Sequence, residues 1–178
     1  MSEPQLPPEQ LRQRLDYDDQ ALLRECEVQH YKASGPGGQH RNKVTSAIRL
    51  QHRPSGLAVT ATEARSQHEN RARAVKRLRE ALALAFRIPT PLEPRWPDNI
   101  QIQKGRLRVN EANPSIHHVI ALVLDAMAQF GGELKDAAAA LSLTSSGLAK
   151  FLYEHPKAWR EAQQIRSENN KQPLRNPK

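Results

Sequence analysis

The sequence predicts an α+β protein in which a small sheet carries one long basic helix and an all-α segment follows. Short alternating apolar runs, bounded by Gly and Pro, occur between residues 25 and 62. An amphipathic helical pattern then extends from Ser66 to Ala85. Beyond Pro114 the apolar residues recur at helical spacing in several successive segments. These three observations together define the fold class.

The first elements are a helical lead-in and the strands of the sheet. Four leucines near helical spacing predict a short amphipathic lead-in over residues 6–25: Leu11, Leu15, Leu22 and Leu23. Three runs predict strands: residues 25–33, 47–52 and 57–62. A loop over residues 34–40 and a helical turn near 41–46 separate the first two strands, and Pro54-Ser55-Gly56 is a turn signal between the last two. We expect a three- or four-stranded sheet.

The long helix begins with a capping box, because Ser66 and Glu69 can each satisfy the other's backbone N–H. Its predicted inner stripe is apolar: Ala72, Val75, Leu78, Leu82 and Ala85. Its predicted outer face is cationic: Arg71, Arg73, Lys76, Arg77 and Arg79. Four prolines end the helix and predict a stiff connector: Pro89, Pro91, Pro94 and Pro97. A small hairpin is expected around Lys104-Gly105.

The C-terminal part is predicted to be helical throughout. Helices are expected from Pro114 to Gly131-Gly132, over residues 136–141 and 145–155, and from Pro156 onward. Residues 138–152 resemble a helix-turn-helix, with Ser142 where a glycine is common. Lys150 is the only cation of the second helix, whereas DNA-reading helices usually present more basic side chains. Packing or docking is therefore favoured over sequence-specific DNA binding.

The predicted organisation has five segments: a lead-in (1–21), a sheet-and-helix domain (22–87), a Pro-rich connector (88–114), a helical domain (115–168) and a short basic tail (169–178). Charge is concentrated in one of them. Residues 26–87 carry twelve Lys or Arg against four Asp or Glu, a net charge of +8. This equals the net charge of the whole chain, which is also +8. Such a basic unit indicates a nucleic-acid partner. Aromatic residues make up only 4%, which favours phosphate contacts over base stacking.

Several classes are disfavoured by what the sequence lacks. There is no run of eighteen apolar residues and no secretory signal at the N-terminus. The single Cys26 cannot form an internal disulfide, and no Cys/His cluster has metal-site spacing. His117 and His118 are adjacent and would not face each other on a helix. We expect a cytoplasmic monomer without a membrane segment, metal or cofactor.

The strongest functional signal is the triplet Gly37-Gly38-Gln39, followed at once by Arg41 and Lys43. Adjacent glycines permit sharp bends and close approach to a ligand. Gln39 offers a backbone N–H together with a side-chain donor and acceptor, all uncharged. No nucleophile with a base and an orienting carboxylate lies beside the triplet, which argues against a self-sufficient Ser/His/Asp hydrolase. The triplet can supply positioning and a hydrogen bond to an oxygen that develops charge.

Three linked motifs place this triplet in a known context. Residues 37–50 read Gly-Gly-Gln-His-Arg-Asn-Lys-Val-Thr-Ser-Ala-Ile-Arg-Leu, residues 53–59 read Arg-Pro-Ser-Gly-Leu-Ala-Val, and residues 65–71 read Arg-Ser-Gln-His-Glu-Asn-Arg. In this order they strongly resemble the catalytic domain of class I peptide chain release factors and of their codon-independent ribosome-rescue relatives. The resemblance covers about residues 22–87 and implies the fold of that catalytic domain.

The resemblance also implies a reaction and its residues. The tip would enter the peptidyl-transferase centre of the large ribosomal subunit and promote attack of water on the ester of the P-site peptidyl-tRNA. Gly37 and Gly38 would set the loop, and Gln39 would act through its backbone amide and side chain. Gln39 is also a possible site of N5-methylation by a glutamine methyltransferase. Contacts to 23S-type RNA are expected from nine residues: Arg41, Asn42, Lys43, Arg49, Arg65, Gln67, Arg71, Arg73 and Lys76. Arg65-Ser66-Gln67 equally fits a purely structural helix cap.

The chain departs from both groups that it resembles. Within these 178 residues nothing matches a tripeptide codon reader, and there is no room for a decoding domain. The last ten residues carry only Lys171, Arg175 and Lys178, whereas short rescue hydrolases usually end in a long basic tail. We expect codon-independent peptide release from stalled ribosomes or separated large subunits, with residues 115–168 supplying docking. The alternatives are a ribosome- or rRNA-binding factor without hydrolysis and, less favoured, a DNA-binding regulator that uses residues 133–155.

Overall fold

The computed structural model of the chain describes residues 4–31, 46–91 and 94–177. The chain divides into two compact units, Met1–Leu82 and Ala83–Lys178. The predicted α+β class is confirmed, since small antiparallel sheets, a long helix and a helical C-terminal part are all present. None of the described helices is long and apolar enough to cross a membrane.

The first unit begins with two short helices, α1 (Pro8–Gln13) and α2 (Asp19–Arg24), separated by a 3-10 turn (Arg14–Asp16). The lead-in is broken because Tyr17 and Asp18 have extended backbone, and the Asp18 side chain caps α2 by accepting from the Ala21 N–H at 2.7 Å. Three of the four leucines used for the prediction are fully or nearly fully buried: Leu11, Leu15 and Leu22.

The sheet of this unit has three described strands in the order β1 (Cys26–Tyr31), β2 (Ala47–His52) and β3 (Ala58–Ala61), all antiparallel. β2 is central, and its residues alternate as predicted: Ile48 and Leu50 are fully buried and Arg49 is exposed. The turn between β2 and β3 uses Gly56 at a φ of +69°, a conformation that favours glycine.

Helix α3 (Gln67–Ala85) is the predicted long helix, and its last three residues belong to the second unit. Its buried side differs from the predicted stripe. Ala72 and Ala85 are exposed, so their assignment to that stripe is wrong. Asn70 and Ala74 are fully buried in line with Leu78, at i, i+4 and i+8. The buried side of the helix was predicted at the wrong angle around the helix axis because a polar residue, Asn70, occupies a core position.

The second unit contains a hairpin and four helices. The hairpin pairs β4 (Gln101–Gln103) with β5 (Arg106–Arg108) through a two-residue turn at Lys104 and Gly105. This confirms the predicted hairpin. Before it, residues that follow α3 are held by side chains of the next helix: the Ile88 N–H donates to Asp125 at 3.1 Å, and the Thr90 N–H donates to Gln129 at 2.6 Å.

The four helices are α4 (Ile116–Gln129), α5 (Leu134–Ala140), α6 (Ser145–Glu154) and α7 (Pro156–Glu168). α4 packs against α5 and α7, and α6 packs against the same two helices. Ser142, between α5 and α6, has a φ of +56°, which explains why a glycine is common at this point of a helix-turn-helix. Lys150 of α6 lies 3.7 Å from Glu154 in an i,i+4 pair, so the presumed DNA-reading helix has its one cation beside an acid.

The C-terminal residues fold back onto α7. The Gln163 side chain donates to the Leu174 carbonyl at 3.1 Å and accepts from the Leu174 N–H at 2.8 Å. Lys171 pairs with Glu133 at 3.1 Å. As far as Leu174, the segment predicted as a short basic tail is therefore attached to the helical unit.

Candidate functional site

The predicted catalytic residues lie between β1 and β2. Tyr31 and Ala47 are partners in the antiparallel register, and the chain between them carries the Gly-Gly-Gln triplet. Six predicted site residues fall outside the described part of the chain: Gly37, Gly38, Gln39, Arg41, Asn42 and Lys43. What the structure provides is the frame on which this segment is mounted.

One side of that frame is fixed by Asn70 in the first turns of α3. Its side-chain amide donates to the Ser46 carbonyl at 2.7 Å and to the Ala64 carbonyl at 2.9 Å. Its side-chain oxygen accepts from the Ala64 N–H at 2.9 Å. Asn70 is fully buried, so its side-chain amide depends on these backbone partners rather than on water. Asn70 therefore holds the residue just before β2 against the start of α3.

Asn70 lies within the motif at residues 65–71, and no role is predicted for it from the sequence. The signal that could have found it is its position. It lies four residues before Ala74 and eight before Leu78, on the buried side of α3. A polar residue in such a place has to be hydrogen-bonded, because an unpaired buried amide is costly.

The predicted RNA-contacting residues that the structure describes lie on two surfaces. Arg49 is exposed on β2, between Gln29 and Thr60 of the neighbouring strands, and alternates with the buried Ile48 and Leu50. It is thus on the solvent face of the sheet. The other five are exposed at the start of α3 and along its outer side: Arg65, Gln67, Arg71, Arg73 and Lys76. Arg49 thus belongs to the sheet, whereas the other five belong to α3 and the residues just before it.

Two further arginines of α3 have internal partners. Arg77 donates to Glu63 and to the Thr60 carbonyl, and its hydrogen bond lowers the pKa of Glu63 to about 2. Arg79 pairs with Asp19 at 2.6 Å and donates to the Tyr17 carbonyl at 2.7 Å. These two cations hold the sheet and the lead-in against α3. The sequence places all four arginines on one outer face of α3. In the structure Arg71 and Arg73 are exposed, whereas Arg77 and Arg79 are only partly exposed.

A buried hydroxyl–imidazole–carboxylate chain lies at the other end of the β1–β2 pair. His52 contacts the Ser55 hydroxyl at 2.7 Å through Nδ1 and Glu25 at 3.0 Å through Nε2. Arg14 binds the same carboxylate with two hydrogen bonds, of 2.9 and 3.2 Å. The order of groups is that of a serine hydrolase triad. However, Ser55 is 2% exposed and His52 is fully buried, so no substrate reaches the hydroxyl. The chain of contacts is structural, and the sequence analysis did not foresee it.

The pKa values of His52 and Glu25 are both lowered. Burial lowers the pKa of His52, and the hydrogen bond to Glu25 offsets this only in part. Burial would raise the pKa of Glu25, but the hydrogen bonds from Arg14 and His52 outweigh it and the pKa is lowered. The folded protein therefore favours a neutral His52 beside a charged Glu25.

We expect the first unit to lose stability as the pH falls below about 6.5, the ordinary pKa of histidine. A lowered pKa in the folded state means that the unfolded chain takes up the proton first, so the contribution of His52 is complete above that value and is lost below it. Glu25 adds a loss of the same sign below its ordinary value of 4.5. His52→Gln should cost about 2 kcal/mol at neutral pH and flatten the dependence between pH 7.5 and 5.5 in urea unfolding. The exposed His68→Gln should leave that dependence in place; a His52→Gln profile parallel to the unmodified one would contradict the assignment.

Other chemistry finds little support among the described residues. No group of three or more His, Cys, Asp or Glu side chains there could hold a metal ion. Cys26 is buried and donates to the Leu22 carbonyl at 3.3 Å, and burial raises the pKa of its thiol to about 11. An open cleft lies beside Glu25, Arg24 and Arg53, at the end of the β1–β2 pair opposite to Tyr31 and Ala47.

Part of the chain is similar to proteins of known name. Peptide chain release factor 2 of Paramagnetospirillum magneticum is 55% identical over 58 residues, which are 33% of this chain and 16% of that protein. Peptide chain release factor 1 of Granulibacter bethesdensis is 48% identical over 67 residues, which are 38% of this chain and 19% of that protein. The chain thus spans less than a fifth of the length of these relatives.

The family comparison covers more of the chain. Residues 20–113, just over half of it, match the sequence model of the RF-1 domain. The match includes the three strands, helix α3 and the hairpin β4–β5. It also contains the Gly-Gly-Gln triplet and every predicted RNA-contacting residue. The chain is a member of the RF-1 domain family, the family of the catalytic domain of class I peptide chain release factors.

Proposed function

We propose that this protein hydrolyses the peptidyl-tRNA ester in the peptidyl-transferase centre of the large ribosomal subunit and releases nascent peptide without reading a stop codon. The observation that carries the proposal is the Gly-Gly-Gln triplet at residues 37–39, within a region that matches the RF-1 domain. The relatives that share this region are named as peptide chain release factors.

The chemistry is divided between the protein and its partner. Water attacks the ester carbonyl, the bond from the carbonyl carbon to the ribose oxygen breaks, and a proton from the water ends on that ribose oxygen. The Gln39 backbone N–H donates to the carbonyl oxygen as charge develops on it, and the Gln39 carboxamide positions the water. Gly37 and Gly38 keep this amide accessible. Ribosomal RNA and the tRNA end complete the site.

The described residues on either side of the triplet are held by hydrogen bonds. Asn70 fixes Ser46 to α3, and the pairing of Tyr31 with Ala47 closes the sheet at the same end. Precise placement matters because a small misalignment of reacting groups lowers rates steeply. These described residues are proposed to position the catalytic segment, and Gln39 is proposed to carry out the chemical step.

The interface with 23S-type RNA is proposed to use the nine sequence-identified residues. Those that the structure describes are all exposed: Arg49, Arg65, Gln67, Arg71, Arg73 and Lys76. Contacts of this type neutralise phosphates and confer affinity that depends on salt rather than on base sequence. Gln39 is the proposed site of methylation by a glutamine methyltransferase, and the protein is proposed to act in the cytoplasm as a monomer without a metal or cofactor.

The proposed docking unit lies beyond the region that matches the RF-1 domain. The residues that follow the matched region form α4 to α7, a helical unit whose presumed DNA-reading helix has its one cation, Lys150, beside Glu154. That pairing disfavours a DNA-binding role and leaves the unit available for docking.

The test is a release assay with ribosomes stalled on an mRNA that ends in the P site and loaded with labelled peptidyl-tRNA. The intact chain should release peptide in a single turnover at a rate that saturates with its concentration. Binding to large subunits without release at saturation would favour the alternative, a ribosome- or rRNA-binding factor that does not hydrolyse. Failure to bind and to release would reject both.

A further inference from the structure

We propose that the β4–β5 hairpin is a second RNA-binding surface, which contacts the phosphate backbone of double-helical ribosomal RNA. The proposal rests on the proposed function, because it assigns a role in ribosome binding to the second unit. The surface, called here the hairpin face, consists of Gln101, Gln103, Arg106 and Arg108, with Lys104 at the turn. None of these residues was among the nine RNA contacts expected from the sequence.

The hairpin face is a compact array on one side of a two-stranded ribbon. Gln101 is paired with Arg108, and Gln103 is paired with Arg106. All four are exposed, whereas the intervening Ile102 and Leu107 are half-buried on the other side. The two arginines are two residues apart on one strand, so their Cα atoms are about 6.8 Å apart and their side chains lie on the same side. Arginine in this arrangement can bind phosphates with paired hydrogen bonds.

The cations of the hairpin face have no acidic partner among the described residues. Among the residues that the structure describes, no acid pairs with Lys104, Arg106 or Arg108, and residues 101–109 contain no Asp or Glu. This contrasts with Arg77 and Arg79, which are bound to Glu63 and Asp19. Three cations without acids in nine residues favour a polyanion as the partner.

The turn carries a conformational cost at Lys104. Lys104 has a φ of +50°, a left-handed conformation that asparagine or glycine adopts more readily. Lys104 is exposed, so its side chain does not repay the strain through burial. Strain held at an exposed cation indicates that the charge at this point is used.

The hairpin is held rigidly on α6. The Gly105 carbonyl accepts from the Thr144 N–H at 2.9 Å and lies 3.2 Å from the Thr144 hydroxyl. A Cβ atom on Gly105 would lie 2.7 Å from the Thr144 methyl group, and a Cβ atom on Gly147 would clash with the Gly105 carbonyl. The aliphatic stem of Arg106 packs beside Gly147 in the first turn of α6. The N-terminal end of a helix favours anions, so α6 does not itself attract the Arg106 charge. A fixed ribbon presents its charges in one geometry, which lowers the entropy lost on binding.

The amide side chains give a reason to expect RNA. Gln101 faces Arg108 and Gln103 faces Arg106 across the ribbon, and the Gln103 side chain donates to the Gln101 side chain at 3.4 Å. The remaining donors and acceptors of both carboxamides can bind hydroxyl groups. The wide, shallow minor groove of an RNA helix displays 2′-hydroxyls beside the phosphates. A ribbon that offers both guanidinium and carboxamide groups matches that pattern without reading base sequence.

The experiment compares two double variants of the full chain that remove equal charge. Arg106→Gln with Arg108→Gln strips the hairpin face, and Arg160→Gln with Arg175→Gln removes two exposed cations elsewhere in the second unit. Binding is measured to purified large ribosomal subunits, to a short RNA duplex and to a DNA duplex of the same sequence, over a range of salt concentrations. The hairpin variant should bind subunits and RNA roughly tenfold more weakly, and its salt slope should fall by about two. The control pair should bind as the unmodified chain does.

A third variant separates binding from folding. Lys104→Asn suits the left-handed turn better than lysine, so the midpoint of thermal unfolding should rise while RNA binding weakens. A structural role for Lys104 would move both in the same direction and would overturn the proposal. So would unchanged subunit binding by the hairpin variant, an equal loss in the control pair, or tighter binding to DNA than to RNA.

The outcome can be told apart from that of the proposed function. If the chain releases no peptide but the hairpin variant still binds RNA more weakly, the hairpin face stands and the release activity is rejected. If the chain releases peptide and the hairpin variant binds subunits normally, the activity stands and the hairpin face is rejected.

Discussion

Replacing Gln39 by alanine is expected to slow peptide release by about two orders of magnitude or more. The change removes the carboxamide that positions the attacking water, and losses of this size are typical when one preorganised group of a hydrolytic site is removed. Gly38→Ala should have a comparable effect, because an added Cβ atom restricts the backbone and crowds the Gln39 amide. Single-turnover release of labelled peptide from ribosomes stalled on truncated mRNA measures both.

Binding provides the control for these two variants. Neither change removes a cation, so affinity for large subunits and its salt dependence should be those of the unmodified chain. A variant that binds normally and releases slowly has lost the chemical step alone. Release at the unmodified rate by both variants would reject the assignment of the triplet.

Asn70→Asp is expected to destabilise the first unit by about 3 kcal/mol at neutral pH. Aspartate has nearly the same shape but loses both hydrogen bonds that Asn70 donates, to Ser46 and Ala64. It also places a carboxylate oxygen against the two carbonyl oxygens that the amide bound. Urea unfolding relative to the unmodified chain measures the loss. The difference should shrink at acid pH, since a protonated aspartic acid can again donate one hydrogen bond.

The same variant tests whether Asn70 positions the catalytic segment. Release should fall by more than the unfolded fraction explains, because Ser46 is no longer tied to α3. Asn110→Asp is the matched control: it makes the same charge change at an exposed site and keeps the hydrogen bond from the Ala112 N–H. A stability loss with a normal release rate per folded molecule would make Asn70 a structural residue only.

The regular elements were predictable because their patterns are local. The alternation of Ile48, Arg49 and Leu50 is enough to define a half-buried strand. The apolar spacing of residues 116–127 and the pair Gly131-Gly132 likewise define α4 and its end. In these places the residues within one element carry all the information.

The contacts that hold the candidate site together were not predictable in the same way. Glu25 and His52 are 27 residues apart in the chain, and the sequence contains no feature that pairs them. Arg77 and Arg79 have the helical spacing of solvent-facing cations, yet long side chains reach Glu63 and Asp19 beside the helix. No role is predicted for Asn70 because it is polar, whereas the stripe predicted for the buried side of α3 contains only apolar residues.

The C-terminal residues give the same lesson for function. The sequence predicts a short basic tail over residues 169–178, with three cations. In the structure Lys171 pairs with Glu133, and Leu174 is held by Gln163. The RNA contacts that we propose for the second unit are instead in the hairpin, where the sequence predicts a turn but no partner. Which charges are available depends on tertiary pairing.

The central claim is that release by this protein does not depend on a stop codon. It is tested by single-turnover release rates of the intact chain on three ribosome complexes, with the A site empty of mRNA, holding a stop codon or holding a sense codon. We expect release on the truncated mRNA, and a stop codon should give no faster release than a sense codon. Release confined to the complex with the stop codon would contradict the account.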